Sequence, residues 1–219
     1  MKKLLIFGAG DIAQLAHFYF EEQKKSRVEA FVVDDDYLTA KEFDGCPLIG
    51  LSELESKYPP NECDAFVAIS YAQMNKVRQT KYAMLKDMGY RMVSYISPYC
   101  TCLSQNIGEN CFILEDNTIQ PFVEIGNNVT LWSGNHIGHH SFIGDNCFIS
   151  SQVVVSGGVH IEENCFIGVN ATLRDHVRIG RETLIAAGAL VVKDTEPKQV
   201  LKGQPAKVAE MTSDQLKRI

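Results

Sequence analysis

Hydrophobic positions along the chain follow two different periods. Up to about residue 97, helical and strand spacings alternate. Leu4 to Phe7 is a short apolar run ending in Gly8-Ala9-Gly10-Asp11-Ile12-Ala13, after which Ile12, Leu15, Ala16, Tyr19 and Phe20 recur at the spacing of one helix face. That pattern predicts a strand, a glycine turn and an amphipathic helix. Val28 to Val33 predicts a second strand running into Asp34-Asp35-Asp36, Asp64 to Ile69 a later one, and Gln73 to Met88 a helix before Met92 to Ile96. Strands alternating with helices predict a small parallel α/β unit.

From about residue 100 the period becomes six. A branched aliphatic stands at every sixth position from Ile107, Ile113 and Ile119 through to Ile185 and Val191, fifteen in succession. Four residues after nearly every one comes a small or β-branched residue, such as Cys111, Val123, Val129, Ser141, Cys147 and Cys165, with Asn117 and Asn135 as exceptions. Ile107-Gly108, Ile125-Gly126, Ile143-Gly144 and Ile179-Gly180 recur at multiples of eighteen, so three hexapeptides make one coil and the fifteen make five. This predicts a triangular parallel β-helix, with the aliphatics inside the prism and Gly and Asn at positive-φ corners. Cys111, Cys147 and Cys165 fall in one internal column and read as packing residues.

Composition narrows the function classes. With 219 residues, 45% hydrophobic and 22% charged, the chain is an ordinary globular one. No window approaches the ~18 apolar residues of a membrane span, and Gly8 and Asp11 interrupt the first apolar run too soon for a signal peptide, so a cytoplasmic location is expected. Lys and Arg total 21 against 27 Asp and Glu, which argues against nucleic acid or anionic lipid as partner. Seven cysteines without a C-x-x-C pair fit reduced thiols; Cys100-Thr101-Cys102 has no partner ligands spaced near it for a metal.

Two segments carry chemistry. Gly8-Ala9-Gly10-Asp11-Ile12-Ala13 has the G-x-G-x-x-A form of the dinucleotide fingerprint, and Asp34 to Asp36 lie roughly where a ribose-binding acid falls. About 97 residues make only one mononucleotide-binding half, so the reading is a single nucleotide phosphate site, with a purely structural turn as the alternative. In the repeat, His136, His139 and His140 fall outside the core slots. Adding eighteen to His139 gives Gly157, which places the Ser156-Gly157-Gly158 backbone one strand spacing away, roughly 5 Å. A neutral imidazole that takes a proton beside an N–H that binds an oxyanion suits acyl transfer. A merely exposed polar face, and a zinc site completed by histidines of adjacent subunits, are the other readings.

The unbroken hexapeptides, Phe7-Gly8-Ala9-Gly10, Val33-Asp34-Asp35 and Ile137-Gly138-His139-His140 together resemble the left-handed β-helix sugar acyltransferases of the NeuD and PglD type, over nearly the whole chain. The resemblance implies a Rossmann-like α/β nucleotide(-sugar)-binding domain over 1–97, an all-β left-handed parallel β-helix over 98–196, a C-terminal tail over 197–219, and a homotrimer. It implies acetyl-CoA as co-substrate and no metal, with transfer to the amine of a nucleotide-linked sugar in bacterial surface-glycan biosynthesis; O-acetylation of sialic acid or another sugar hydroxyl is the alternative. A metal-dependent hydratase and a catalytically silent scaffold are rival classes on the same helix.

Residue by residue, the resemblance makes His139 the catalytic base and Gly157 the amide that meets the thioester carbonyl. Gly157, Gly158, Ala187, Gly188, Gly203 and Lys207 would line the CoA channel, and Gly8, Gly10, Asp11, Asp34 and Asp35 the nucleotide end of the acceptor site. Two departures from the family stand out. His140 occupies the place of an Asp or Glu that usually orients the base, and Ile69-Ser70-Tyr71-Ala72-Gln73 replaces a Gly-Asn-type turn. The lone Trp132 reads equally as a ring stacked on substrate and as an aromatic that packs in the trimer.

Overall fold

The computed structural model describes residues 3–22, 27–206, 208 and 215. The first part is an open sheet of β1 (Lys3–Phe7), β2 (Arg27–Val33), β3 (Glu42–Phe43), β4 (Cys46–Gly50), β5 (Cys63–Val67) and β6 (Arg91–Met92), in the order β3-β4-β2-β1-β5-β6. All its pairings are parallel except β3 with β4. Helices α1 (Asp11–Glu22), α2 (Leu54–Lys57) and α3 (Lys76–Asp87) connect the strands. Helix α3 begins later than its apolar pattern predicts, because Gln73, Met74 and Asn75 all take left-handed φ of 51°, 53° and 66°. Each costs about 1–2 kcal/mol. The buried Asn75 side chain helps to fix the turn by donating to the Cys165 carbonyl at 3.1 Å.

The predicted Met92–Ile96 strand is divided between two sheets. Arg91–Met92 closes the first sheet, whereas Tyr95–Ile96 is the first rung of a parallel β-helix. Ser94 makes the break, with its Oγ donating to Gly108 O and accepting from Cys111 N–H, both at 2.9 Å. The β-helix has three faces, of seven, six and five two-residue rungs. The first face begins at Tyr95–Ile96, the second at Thr101–Cys102, and the third at Asn106–Ile107. Most rungs pair at a step of eighteen, as in Phe112 with Thr130 and His136 with Val154. Tyr95 pairs with Phe112 and Thr101 with Thr118 at a step of seventeen, so the helix starts one residue out of phase, before the periodicity becomes visible.

The interior follows the sequence arithmetic. From Ile113 to Val191 every sixth aliphatic is at most 4% exposed, and Cys111, Cys147 and Cys165 are fully buried in their column. Burial pushes the Cys111 thiol up to about 11 and holds that of Cys147 well above its ordinary range, so both are uncharged packing groups. Asn117 and Asn135, the polar exceptions, both donate to the Trp132 carbonyl. The left-handed corners recur at every sixth residue from Asn110 to Gly188.

The α/β part docks on the first face. Phe20, Phe66, Tyr95 and Phe112 form one aromatic cluster that crosses from one part to the other, with centroid separations of 5.2–5.6 Å. Asn110, Asn128, Asn146 and Asn164 form a ladder up the corner between the third and first faces, each Nδ2 donating to the next Oδ1. The ladder ends on Gln79 of α3, and at its other end Asn110 Oδ1 accepts from Val67 N–H of β5. Tyr19 OH donates to Glu115 at 2.9 Å, a contact that holds α1 on the first corner.

That last bond sets a pH window. Burial would raise the Glu115 pKa, but hydrogen bonds from Ser133, its own amide and Tyr19 outweigh it and hold it below the ordinary 4.5. Burial, then Glu115, push Tyr19 up to about 12 from 10.0. The depressed carboxylate contributes stability that is present above pH 4.5 and lost as pH falls through its folded value; the raised phenol contributes stability present below pH 10.0 and lost as pH rises toward about 12. Tyr19→Phe is therefore expected to remove this phenol's share of the alkaline loss and make the acid edge shallower, read as urea midpoints across pH. A variant curve parallel to wild type would contradict this.

Candidate active site

His139 sits at the corner between the second and third faces, just after the His136–Ile137 rung. Its backbone is fixed on both sides: the N–H donates to Gln120 Oε1 at 2.8 Å, and the carbonyl accepts from Gly158 N–H at 2.8 Å. The exposed imidazole lies over Gly157 of the next coil. A Cβ at Gly157 would fall 2.7 Å from Cε1 and 2.9 Å from Nε2 of the ring, so only glycine leaves the imidazole in place. The Gly157 carbonyl accepts from His176 N–H at 3.0 Å, while the Gly157 N–H has no acceptor among the described residues. An imidazole thus lies over a residue whose amide has no acceptor among the described residues.

His140 follows in a left-handed conformation, φ +58°. The Nδ1 atoms of His139 and His140 are 3.1 Å apart, a separation that requires one ring to donate and the other to accept. Farther along the helix, Gly188 occupies a left-handed corner next to Ala187, and the Gly203 backbone packs against the Ala187 carbonyl, so these three form one surface. Lys207 lies outside the described residues.

The glycine turn after β1 lies on another edge of the molecule. Gly8, at φ +128°, passes so close to Ala68 that a Cβ would be 2.6 Å from its carbonyl oxygen. Gly10 caps α1 by accepting from Ala13 and Gln14 N–H groups, and the amides of Asp11 and Ile12 are left without acceptors among the described residues, an arrangement suited to an anion. Gly8, Gly10 and Asp11 line a cavity of about 670 Å³ closed by Ala68 to Tyr71 and by Trp132. A neighbouring cavity of about 430 Å³ includes Asp34, whose carboxylate accepts from Lys81 Nζ at 2.6 Å. Asp35 turns away, its Oδ1 accepting from Ser52 Oγ at 2.7 Å, so only the first acid of the pair reaches a cavity.

Trp132 joins the two parts. Its ring packs against the α/β core, and its Nε1–H is buried without an acceptor among the described residues. Tyr71, from the segment that departs from the family pattern, packs edge-on against Phe148 and tilted against Phe166 of the first face, with centroids 5.0 and 4.7 Å apart. With Trp132, Ser150 and Ser151 it lines a smaller cleft of about 220 Å³ leading toward the second face. The departure from the family pattern marked the segment carrying Tyr71 as well as Trp132, but the contact of Tyr71 with the first face is set by a turn without periodicity and is not readable from the sequence.

Another cluster is not visible in the sequence. Asp44 lies 2.7 Å from His17 Nδ1, and His17 Nε2 is 3.9 Å from Cys46 Sγ. Burial first, then Glu21 and Asp44, push the Cys46 thiol up, so this arrangement fastens the β3–β4 turn to α1 and supplies no thiolate. Among the described residues, no group of three or more His, Cys, Asp or Glu could hold a metal ion, and no helix is long and apolar enough to cross a membrane.

Residues 3–85 match the PglD N-terminal domain family, and residues 106–139, 140–175 and 158–193 match the bacterial transferase hexapeptide (six repeats) family. A search of curated proteins finds no match. Among solved structures, PerB from Caulobacter crescentus, in complex with CoA and GDP-perosamine, is similar at 25% identity and a TM-score of 0.80, over 91% of this chain and 93% of that one. The acetyltransferase domain of PglB from Neisseria gonorrhoeae is similar at 25% identity and a TM-score of 0.82, over 94% of this chain and 99% of that one. A second structure of that domain holds acetyl coenzyme A. The two family matches and the likenesses over more than nine-tenths of the chain together identify an acyltransferase whose coils are bacterial transferase hexapeptide repeats and whose α/β part is a PglD N-terminal domain.

Proposed function

We propose that this enzyme transfers the acetyl group of acetyl-CoA to the amine of a nucleotide-linked amino sugar for bacterial surface glycans, with His139 as general base. One observation carries the reading: the His139 imidazole lies over Gly157, whose N–H has no acceptor among the described residues. The acceptor amine attacks the thioester carbonyl and forms the C–N bond. His139 Nε2 takes the amine proton, the Gly157 N–H receives the developing oxyanion, the C–S bond breaks, and the proton passes to the departing CoA sulfur. The likeness to PerB, solved with CoA and a nucleotide-linked sugar, supports both substrate classes. The run Gly157, Gly158, Ala187, Gly188, Gly203 and Lys207 is assigned to CoA, and the glycine turn with Asp34 to the nucleotide.

The acceptor cavities open beside Trp132, before the second face, whereas His139 follows that face. A side of six residues at about 3.3 Å each separates the two by up to about 20 Å within one chain. We therefore assign the complete site to two neighbouring subunits of a homotrimer, working in the cytoplasm, with the nucleotide held by one subunit and His139 supplied by the other. The test is thiol release from acetyl-CoA across a panel of nucleotide-linked amino sugars, with free sialic acid alongside. Release with an amino sugar is expected; release only with a hydroxyl acceptor would replace N- by O-acetylation, and no release at all would end the acyltransfer reading.

A further inference from the structure

Fourteen left-handed corners recur at every sixth residue from Asn110 to Gly188. Thirteen carry Gly, Asn, Asp, Gln, Glu or His, residues that are small, polar or able to bond their own backbone. The remaining one is Phe122, at φ +65° with 69% of its surface exposed. A bulky apolar side chain at such a corner is strained, and exposure at this level recovers little by burial. Its ring is not idle, however: it lies 4.7 Å from the His140 ring, tilted by 35°. One coil separates the two residues, which are eighteen apart, and both stand at the corner that carries His139.

Resting on the acetyl-transfer reading, we propose that Phe122 is a positioning residue: it holds the His140 ring so that its Nδ1 accepts the Nδ1–H of His139, leaving His139 Nε2 unprotonated over Gly157. Each link is a contact in the structure: Phe122 on His140, His140 Nδ1 at 3.1 Å from His139 Nδ1, and the His139 ring over Gly157. The tautomers follow from valence. A neutral His139 with a basic Nε2 must carry its proton on Nδ1, so His140 must offer a lone pair there and keep its own proton on Nε2. An aspartate would need no such help, because both carboxylate oxygens accept. An imidazole accepts in one orientation only, and a strained phenylalanine that limits its rotation serves that need.

The test separates strain from positioning. Phe122→Asn places at the corner a residue that tolerates it, and is expected to raise Tm by about 2–4 °C while lowering kcat about tenfold, with KM for acetyl-CoA unchanged. Phe122→Tyr, which keeps the ring, should retain most of the activity. In a His140→Ala background, Phe122→Asn should have no further effect on kcat. An unchanged kcat, an equal loss in the His140→Ala background, or dissociation of the assembly seen by sedimentation would overturn the proposal, the last by making Phe122 a subunit contact. If wild type acetylates no acceptor, the functional reading fails separately. Positioning is then decided by imidazole nitrogen NMR: the wild type should show the paired tautomers, and Phe122→Asn a mixture. Identical spectra would refute it.

Discussion

Replacing His139 with asparagine is expected to lower kcat by roughly 10²–10⁴-fold, the range for losing a general base. The side chain is exposed, with the Gly157 backbone and the His140 ring beside it, so the substitution should leave stability within about 0.5 kcal/mol of wild type. Acetyl-CoA affinity, read by equilibrium titration, should also persist, because the amide surfaces assigned to CoA do not depend on the ring. Gly157→Ala is the companion variant. The backbone there is not left-handed, so alanine is acceptable to the main chain, but its methyl would lie within 2.9 Å of Nε2 and move the imidazole aside. The expected result is a fall in kcat without a matching fall in Tm. Once His139 is already asparagine, Gly157→Ala should cost much less. Activity retained by His139→Asn in thiol-release assays would require another group to take the proton.

Much of this architecture was legible in the sequence because the interior of a β-helix is one side chain thick. Every coil offers the same small slot and the same aliphatic slot, so Ile113 to Val191 and the cysteine column can be read by counting. The same count reaches His139 over Gly157. It misses whatever lies off that period. The first coil is hidden by a seventeen-residue step at Tyr95, and a strand predicted to be continuous over Met92–Ile96 serves two sheets. Asp34 and Asp35 read as a pair, yet Ser52 captures the second. Phe122, between Pro121 and Val123, reads as one more apolar residue, and only its phase with Asn110 and Asp116 reveals a corner. Arg78 was beyond reach of any local pattern: Lys76 to Lys81 looks like a solvated helix face, and the groups that receive this arginine belong to coils some fifty to seventy residues away.

Arg78 is where the largest stability effect is expected. The side chain is 2% exposed and no carboxylate pairs with it among the described residues; instead its Nη2 donates to the carbonyls of Asn128, Asn146 and Cys147 at 3.2, 2.9 and 3.2 Å. Nη1 reaches Ser70 O at 3.4 Å, and the guanidinium lies 5.7 Å from the centre of the Phe148 ring. Burial lowers its pKa to about 10, still far above neutrality, so the group enters the interface as a cation. Carbonyl dipoles and an aromatic face stand in for a counter-ion. Cys147 O already accepts from Thr130 N–H, but removing the arginine leaves the Asn128 and Asn146 carbonyls in a dry corner beside a cavity. At about 1–3 kcal/mol for each orphaned group and a further cavity term, Arg78→Ala is expected to cost roughly 3–5 kcal/mol. Arg78→Lys should recover only part of this, since one ammonium cannot bridge Ser70 and the coil together. Trp132, the single tryptophan, lies at the joint and reports on it directly. In Arg78→Ala its fluorescence should change at a lower urea concentration than the circular dichroism of the β-helix, because the joint loosens before the coils unwind. Coincident transitions at the wild-type midpoint would show that the buried cation contributes nothing to holding the two parts together.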